Sequence, residues 1–164
     1  RQMCIRDSIK TITINEFKIR ANLINNAIFS DIDQYKGLLY IPSNAIDKMN
    51  EESDVDFVIT IMHHAPDFYR DEIKNTLEDT VVKNSNILFH GHEHYNYSKQ
   101  TSFNGSGYTV VQSGGCLCNN GDWDNSSYIV GLLNTESLTY EHYRYTWNSN
   151  AKQYEHDSLS LIHI

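Results

Sequence analysis

Apolar residues form continuous runs in some parts of the chain and recur at regular spacing in others, and both patterns predict secondary structure. Residues 55–62 (VDFVITIM) and 86–89 (NILF) are short apolar runs, which are typical of strands buried on both faces of a parallel sheet. Between them, apolar residues recur every four positions, which predicts a helix over residues 67–83. A strand, a helix and a strand in this order predict a βαβ unit.

The flanking segments predict further strands and one short helix. An alternating, β-branched pattern predicts a strand over residues 9–19, whereas residues 22–33 are ambiguous and leave open a second strand that ends near Ser30. A short helix is predicted from about Asn44, with Ser43 as its N-cap. Three more strands are predicted over residues 108–113, 127–133 and 138–147.

Histidines follow both apolar runs of the predicted βαβ unit. His63 and His64 come directly after the first run, and His92 and His94 come shortly after the second. Because parallel strands joined by a crossover lie close together and their carboxyl ends meet at one sheet edge, these imidazoles are expected to converge. A single histidine at a strand end is more often a surface or core residue. The two clusters together favour a metal site.

The spacing Gly-His-x-His has a physical reason. In extended backbone, residues two apart point the same way, so His92 and His94 can address adjacent metal positions while Glu93 points away. Gly91 is expected to let the chain turn sharply and approach the metals closely.

The sequences VITIMHHAP and NILFHGHEH together resemble the C-terminal half of the calcineurin-like metallophosphoesterases, over roughly residues 37–133. The resemblance implies an α/β fold, as the C-terminal half of a four-layer α/β/β/α sandwich. It implies two divalent metal ions of the Mn, Fe, Zn or Mg class as cofactors. It also implies hydrolysis of a phosphomonoester or phosphodiester substrate by a metal-activated hydroxide.

The same resemblance assigns roles to individual histidines. His63 would ligate one metal, His92 would share that metal, and His94 would bind the other. His64 would contact the ligands without binding a metal, although an exchange of roles with His63 stays open. His90 precedes the motif glycine and is expected to be structural.

The chain departs from the family pattern in its earlier motifs. Asp-x-His, Gly-Asp-x-x-Asp and Gly-Asn-His do not occur before residue 55, and GDWD at 121–124 lies after the histidine motif. We therefore predict no catalytic residue within this chain, and we expect the intact parent to be a hydrolase and this chain alone to be inactive. Two rival functions are a degenerate relative that serves as a protein-binding scaffold, and a nuclease of the same superfamily.

Both chain ends have an unusual relationship to each other. RQMCIRDS at residues 1–8 and LSLIHI at 159–164 can be translations of one DNA sequence read from opposite strands, and that sequence resembles the transposon end used in sequencing libraries. We expect both ends to be adapter-derived tails around a partial metallophosphoesterase domain over residues 9–158, which would make the chain a piece of a longer gene product.

Charge and hydropathy narrow the range of partners. The net charge is −8, or −9 without the expected tails, and this excess of acid argues against a nucleic-acid partner, which needs clustered Lys and Arg. No apolar run approaches the length needed to cross a bilayer. A phosphate ester is the expected substrate. The compartment stays open, with the cytoplasm favoured.

A loop and a strand near the C-terminus offer further candidates. Cys116 and Cys118 form at most an incomplete zinc site, so packing is the expected role. In the same loop, Asn119 and Trp123 could line a substrate pocket, although the polarity of an exposed turn also explains them. The aromatic stripe over residues 143–147 could stack on a ligand, but packing against a second sheet is the simpler interpretation.

Overall fold

The computed structural model has a mixed α/β fold with one six-stranded and one three-stranded sheet. It describes residues 8–27, 36–51, 54–93, 97–101, 109–115, 117 and 126–163, with the backbone alone over 157–163. The chain divides into two compact units, one of Arg1–His92 with Lys99–Val111 and the other of Glu93–Ser98 with Gln112–Ile164.

The larger sheet has the strand order β1-β2-β3-β4-β6-β5. Its strands are β1 (Ser8–Ile14), β2 (Phe17–Ile24), β3 (Phe57–Met62), β4 (Ile87–His90), β5 (Tyr97–Thr101) and β6 (Thr109–Ser113). The helices are α1 (Ser43–Met49) and α2 (Asp71–Asn84). The pair β1–β2 is antiparallel, whereas β2, β3 and β4 run parallel to one another.

The predicted βαβ unit is formed by β3, α2 and β4. Helix α2 buries Leu77 and Val81, two of the residues whose spacing predicts it. It begins four residues later than predicted, because Pro66–Phe68 forms a 3₁₀ turn and Tyr69 is extended. That extended residue makes a bridge with Leu39, which interrupts the helical path.

The single strand predicted over residues 9–19 is wrong, because the chain reverses in the middle of it. Asn15 and Glu16 both have positive φ angles, 47° and 69°, and join β1 to β2 in a two-residue hairpin. Positive φ at both central positions is the signature of a type I′ turn, whose twist matches that of the strands. Of the second strand left open over residues 22–33, only the first part is observed: β2 begins earlier, at Phe17, and ends at Ile24.

Two other local predictions need correction or addition. Ser43 is the first residue of α1 and not its N-cap; the N-cap is Pro42, and no side chain caps the helix. Two strands, β5 and the last strand β9 (Gln153–His163), were not predicted from the sequence pattern. The backbone of β9 runs through residues 159–163, and the adapter origin of these residues stays a prediction.

Buried polar side chains form a chain of hydrogen bonds across the larger sheet. Arg20 Nε donates to Asn22 Oδ1 at 2.8 Å, and Asn22 Nδ2 donates to Thr60 Oγ1 at 3.2 Å. The Thr60 hydroxyl lies 2.6 Å from the Ser85 hydroxyl. All four residues are buried, so each of these polar groups needs a partner within the protein.

Arg20 also ties β2 to the end of α1. Its guanidinium donates to the backbone carbonyls of Lys48 and Glu51, the latter at 2.7 Å. Lys48 lies in the last turn of α1, where carbonyls have no partner within the helix. A cation also interacts favourably with this end of a helix.

The smaller sheet consists of β7 (Ser127–Asn134), β8 (Thr139–Asn148) and β9, all antiparallel. The buried ring of Tyr140 on β8 lies against Gly131 on β7. A Cβ atom on residue 131 would lie 2.6 Å from Tyr140 Oη. Glycine therefore leaves the space that the ring occupies.

The aromatic residues predicted to share a face of β8 contact rings on neighbouring strands of the same sheet. Tyr145 stacks on Tyr128 of β7, with centroids 5.0 Å apart, and Trp147 meets Tyr154 of β9 edge to face at 5.2 Å. Both β8 residues are half-buried. These cross-strand pairs stabilise the sheet itself, and the predicted packing of the stripe against a second sheet stays a prediction.

Candidate metal centre

Two loops at neighbouring strand ends bring three histidines together. Met62 and His90 are paired at the ends of the parallel strands β3 and β4. The next residues continue this association, because the amide of Gly91 donates to the carbonyl of His63 at 3.0 Å. The parallel register therefore places the loop that carries His63 and His64 beside the loop that carries His92.

The imidazoles of His63, His64 and His92 form a group that could hold a metal ion. Each offers one ring nitrogen, and the three nitrogens lie within 4.8 Å of one another. His92 Nδ1 lies 3.3 Å from His63 Nε2. The sequence predicts His63 or His64 near His92, and the structure brings both there.

The spacing of the His63 and His92 nitrogens fits a divalent metal. Two imidazole nitrogens bound at about 2.0–2.1 Å to one tetrahedral ion lie about 3.3 Å apart. The observed His63–His92 separation is 3.3 Å. The donor set of neutral imidazoles suits zinc and the other first-row transition metals better than magnesium or calcium, which prefer oxygen.

His64 is the most buried member of the cluster. It is 0% exposed, and its ring packs against His92 and Phe68 with centroids 4.4 and 5.5 Å away. Burial lowers the pKa of His64 to about 4, and the nearby charges of His63 and His92 contribute to this lowering. His64 is thus a neutral imidazole at neutral pH, which is the form that binds metals.

The metal-free chain is expected to lose stability as the pH falls from about 6.5 to about 4. In this window an unfolded His64, with its ordinary pKa of 6.5, binds a proton that the folded residue, with a pKa of about 4, does not. The unfolded state then holds more protons, so acidification favours unfolding. The difference corresponds to at most about 3 kcal/mol, and the full stability is present above about pH 7.

Urea unfolding at pH 7 and pH 4.5 checks this expectation. His64→Gln removes the titrating group and should flatten the pH dependence, whereas His63→Gln, at an exposed position, should keep most of it. Equal pH dependence in wild type and His64→Gln would contradict the assignment.

Asn26 is a site residue that the sequence analysis does not predict. It is 1% exposed and follows the end of β2, next to β3 in the sheet. Its Oδ1 accepts the amide protons of His63 at 2.7 Å and His64 at 3.3 Å, and its Nδ2 donates to the His64 carbonyl at 2.8 Å. The available signal was an asparagine pair directly after an apolar segment, just as the histidine pair follows β3.

The sharp turn predicted at Gly91 is not made by the glycine itself. The left-handed conformation in this loop belongs to His92, whose φ is 70°, and not to the glycine. A Cβ atom on residue 91 would lie 3.6 Å from His63 Nδ1, which is an ordinary contact. The sharp turn is therefore made one residue later than expected, by a ligand candidate.

The remaining predicted residues lie apart from the cluster or outside the described residues. His90 is 3% exposed, and its Nδ1 lies 3.3 Å from the Gly91 carbonyl, in keeping with a structural role. The candidates outside the described residues are His94, Cys116, Cys118, Asn119 and Trp123. Their predicted roles stay predictions.

An open groove of about 420 Å³ adjoins the cluster at His63. Its lining is mainly apolar and comes from the ends of β1, β2 and β3: Ser8, Leu23, Ile24, Asn25, Ile61 and Met62. Ile61 is 42% exposed there, which is unusual for an isoleucine in a central strand.

The described part of the chain contains no helix long and apolar enough to span a membrane.

Comparison with known proteins gives weak similarities. No family model and no curated protein matches the chain. A solved structure of a hypothetical protein from Thermus thermophilus is 13% identical with a TM-score of 0.46, over 94% of this chain and 60% of that one. A double mutant of Vps29 from Entamoeba histolytica is 14% identical with a TM-score of 0.39, over 96% and 63%.

A single mutant of the same Vps29 is also 14% identical, with a TM-score of 0.35, over 84% of this chain and 97% of that one. The chain thus spans less than two thirds of the first two of these proteins. Because all three TM-scores are below 0.5, these similarities carry no argument about function, and the case for a site is made by the histidine geometry alone.

Proposed function

We propose that the chain is part of a metal-dependent phosphoesterase in which His63, His92 and His94 are metal ligands. The observation that supports this most is the convergence of His63 and His92, with ring nitrogens 3.3 Å apart, at the ends of adjacent parallel strands. The partial domain over residues 9–158, the four-layer sandwich and a second metal ion belong to the same proposal. His64 either binds the metal itself or contacts the ligands without binding the metal.

The electrostatics of the cluster suit a phosphate substrate. His64 is neutral at physiological pH, because burial lowers its pKa to about 4. Neutral ligands leave the positive charge of a bound cation uncompensated, so the site attracts an anion. When bound, divalent metals polarise phosphoryl oxygens and lower the pKa of water, which supplies a nucleophile at neutral pH.

The groove beside His63 offers a place for the organic part of the ester. Leu23, Ile61 and Met62 contribute its apolar lining, and His63 lies at its edge. A substrate whose phosphoryl group is at the cluster could thus place an apolar alcohol in the groove. The net charge of −8 favours such a small ester over a nucleic acid.

Two measurements test the function. Cobalt(II) titration of the 164-residue chain should give the visible absorption of an imidazole-bound ion, and metal at about 100 times its dissociation constant should raise the free energy of unfolding by about 2.7 kcal/mol. The chain extended by its upstream coding sequence should hydrolyse an aryl phosphate only when a divalent metal is present. The 164-residue chain itself should not, because it lacks the acidic motifs of the family.

The outcomes separate the alternatives. Metal binding without hydrolysis by the extended protein would favour the protein-binding scaffold. The absence of metal binding by the chain would overturn the proposed site.

A further inference from the structure

Every backbone N–H and C=O group of His63 and His64 makes a hydrogen bond within the protein. The amides of both His63 and His64 donate to Asn26 Oδ1, and the carbonyl of His64 accepts from Asn26 Nδ2. The carbonyl of His63 accepts from the amide of Gly91. One side chain therefore makes three of these four hydrogen bonds, and the neighbouring loop makes the fourth.

We propose that Asn26 is the positioning residue of the metal site, which fixes the His63–His64 turn so that both rings face His92 before a metal arrives. This inference rests on the proposed function. Asn26 acts through the backbone and need not touch the metal. The residue is 1% exposed, so water does not compete for these bonds.

The hydrogen-bonding groups of the His63–His64 turn match the side chain of asparagine better than those of other residues. The turn presents two N–H groups on one side and a carbonyl on the other, so its partner must combine an acceptor with a donor on one short planar group. Aspartate supplies no donor at neutral pH and would oppose the His64 carbonyl with a charge. Serine and alanine cannot bridge both sides. Glutamine is one methylene longer in a buried position.

Removal of the Asn26 side chain is expected to weaken metal binding. Without Asn26, the pair must become ordered when the metal binds, and the rings lose their alignment with His92. Loss of a group that orients metal ligands typically lowers metal affinity by about 10–100-fold. The shape of the cobalt(II) absorption spectrum should change too, since it reports the geometry of the ligands.

A matched control lies near the other end of β3. Asn86 Oδ1 accepts the amide proton of Val58 at 2.8 Å, which is the same type of side-chain clamp on β3 but near its other end. Asn86→Ala should therefore lower the stability of the chain without changing cobalt affinity by more than about twofold, well below the effect of losing a group that orients ligands.

The experiment compares cobalt(II) titrations of wild type, Asn26→Ala and Asn86→Ala, each confirmed as folded by circular dichroism. If Asn26→Ala does not fold, Asn26→Ser and amide hydrogen exchange in the wild type replace it. The proposal then expects weaker binding by Asn26→Ser and slow exchange at residues 63 and 64. Wild-type affinity and spectrum in a folded Asn26 variant, or fast exchange at these amides, would overturn the positioning role alone. Failure of wild type to bind cobalt would overturn the metal site as well.

Discussion

Alanine at position 92 is expected to abolish both cobalt binding by the histidine cluster and the metal-dependent hydrolysis proposed above. His92 is the member that contacts both other rings from a separate loop, with its Nδ1 3.3 Å from His63 Nε2 and its centroid 4.4 Å from that of His64. Without it, His63 and His64 remain as adjacent residues on one loop. We expect the loss to exceed the roughly 100-fold reached when only a supporting partner is removed.

His156→Ala provides a control for this substitution. His156 is an exposed histidine on β9 and is not a member of the histidine cluster, so its removal takes away one imidazole and leaves all three candidate ligands. Cobalt titration and an aryl phosphate assay should distinguish the two variants clearly. His94→Ala should also abolish hydrolysis, on the strength of its spacing in the sequence. Undiminished turnover by His92→Ala would refute the assignment of this residue as a ligand.

The second large effect is expected from Arg20→Ala, which should lower the free energy of unfolding by about 3–5 kcal/mol. Arg20 is 4% exposed and supplies hydrogen bonds to Asn22 and to the carbonyls of Lys48 and Glu51. Its removal leaves the buried Asn22 Oδ1 without its donor, which costs about 1–3 kcal/mol. It also removes hydrogen bonds to two partly buried carbonyls, which contribute about 1 kcal/mol each. The guanidinium also joins β2 to α1, so both elements should loosen.

Urea unfolding measures this effect, and two further variants help to interpret it. Lys18→Ala, on the same strand, removes an exposed lysine paired with Asp54 and should change the midpoint little. Arg20→Lys keeps the charge but lacks the planar fork that reaches three acceptors, so its loss should be intermediate. Arg20→Ala with a midpoint near that of Lys18→Ala would show that the hydrogen bonds do not stabilise the fold as described.

The parts of the fold that were predictable depend on local periodicity. The βαβ unit follows from two apolar runs and a four-residue repeat, and parallel pairing then brings His63 close to His92. The hairpin was not predictable, because Asn15-Glu16 lacks the glycine that usually marks a type I′ turn and the alternating pattern continues through it.

The role of Asn26 and the burial of Arg20 were not predictable for a different reason. Polar residues in a strand normally indicate a solvent-facing side, and only the three-dimensional arrangement supplies partners that allow them to be buried. Asn26 gains its role from a loop 37 residues further along the chain. A single sequence contains no local signal for such a long-range contact between side chain and backbone.

The contact between the Tyr140 ring and Gly131 also bears on how β7 and β8 align. A slip of β8 by two residues along β7 would keep every side chain on its own face, so polarity alone would not oppose it. Such a slip would move the tyrosine ring onto a residue with a side chain, because Gly131 is the one glycine in β7. The contact between the ring and the glycine therefore favours the observed register of β7 and β8 over the registers shifted by two residues.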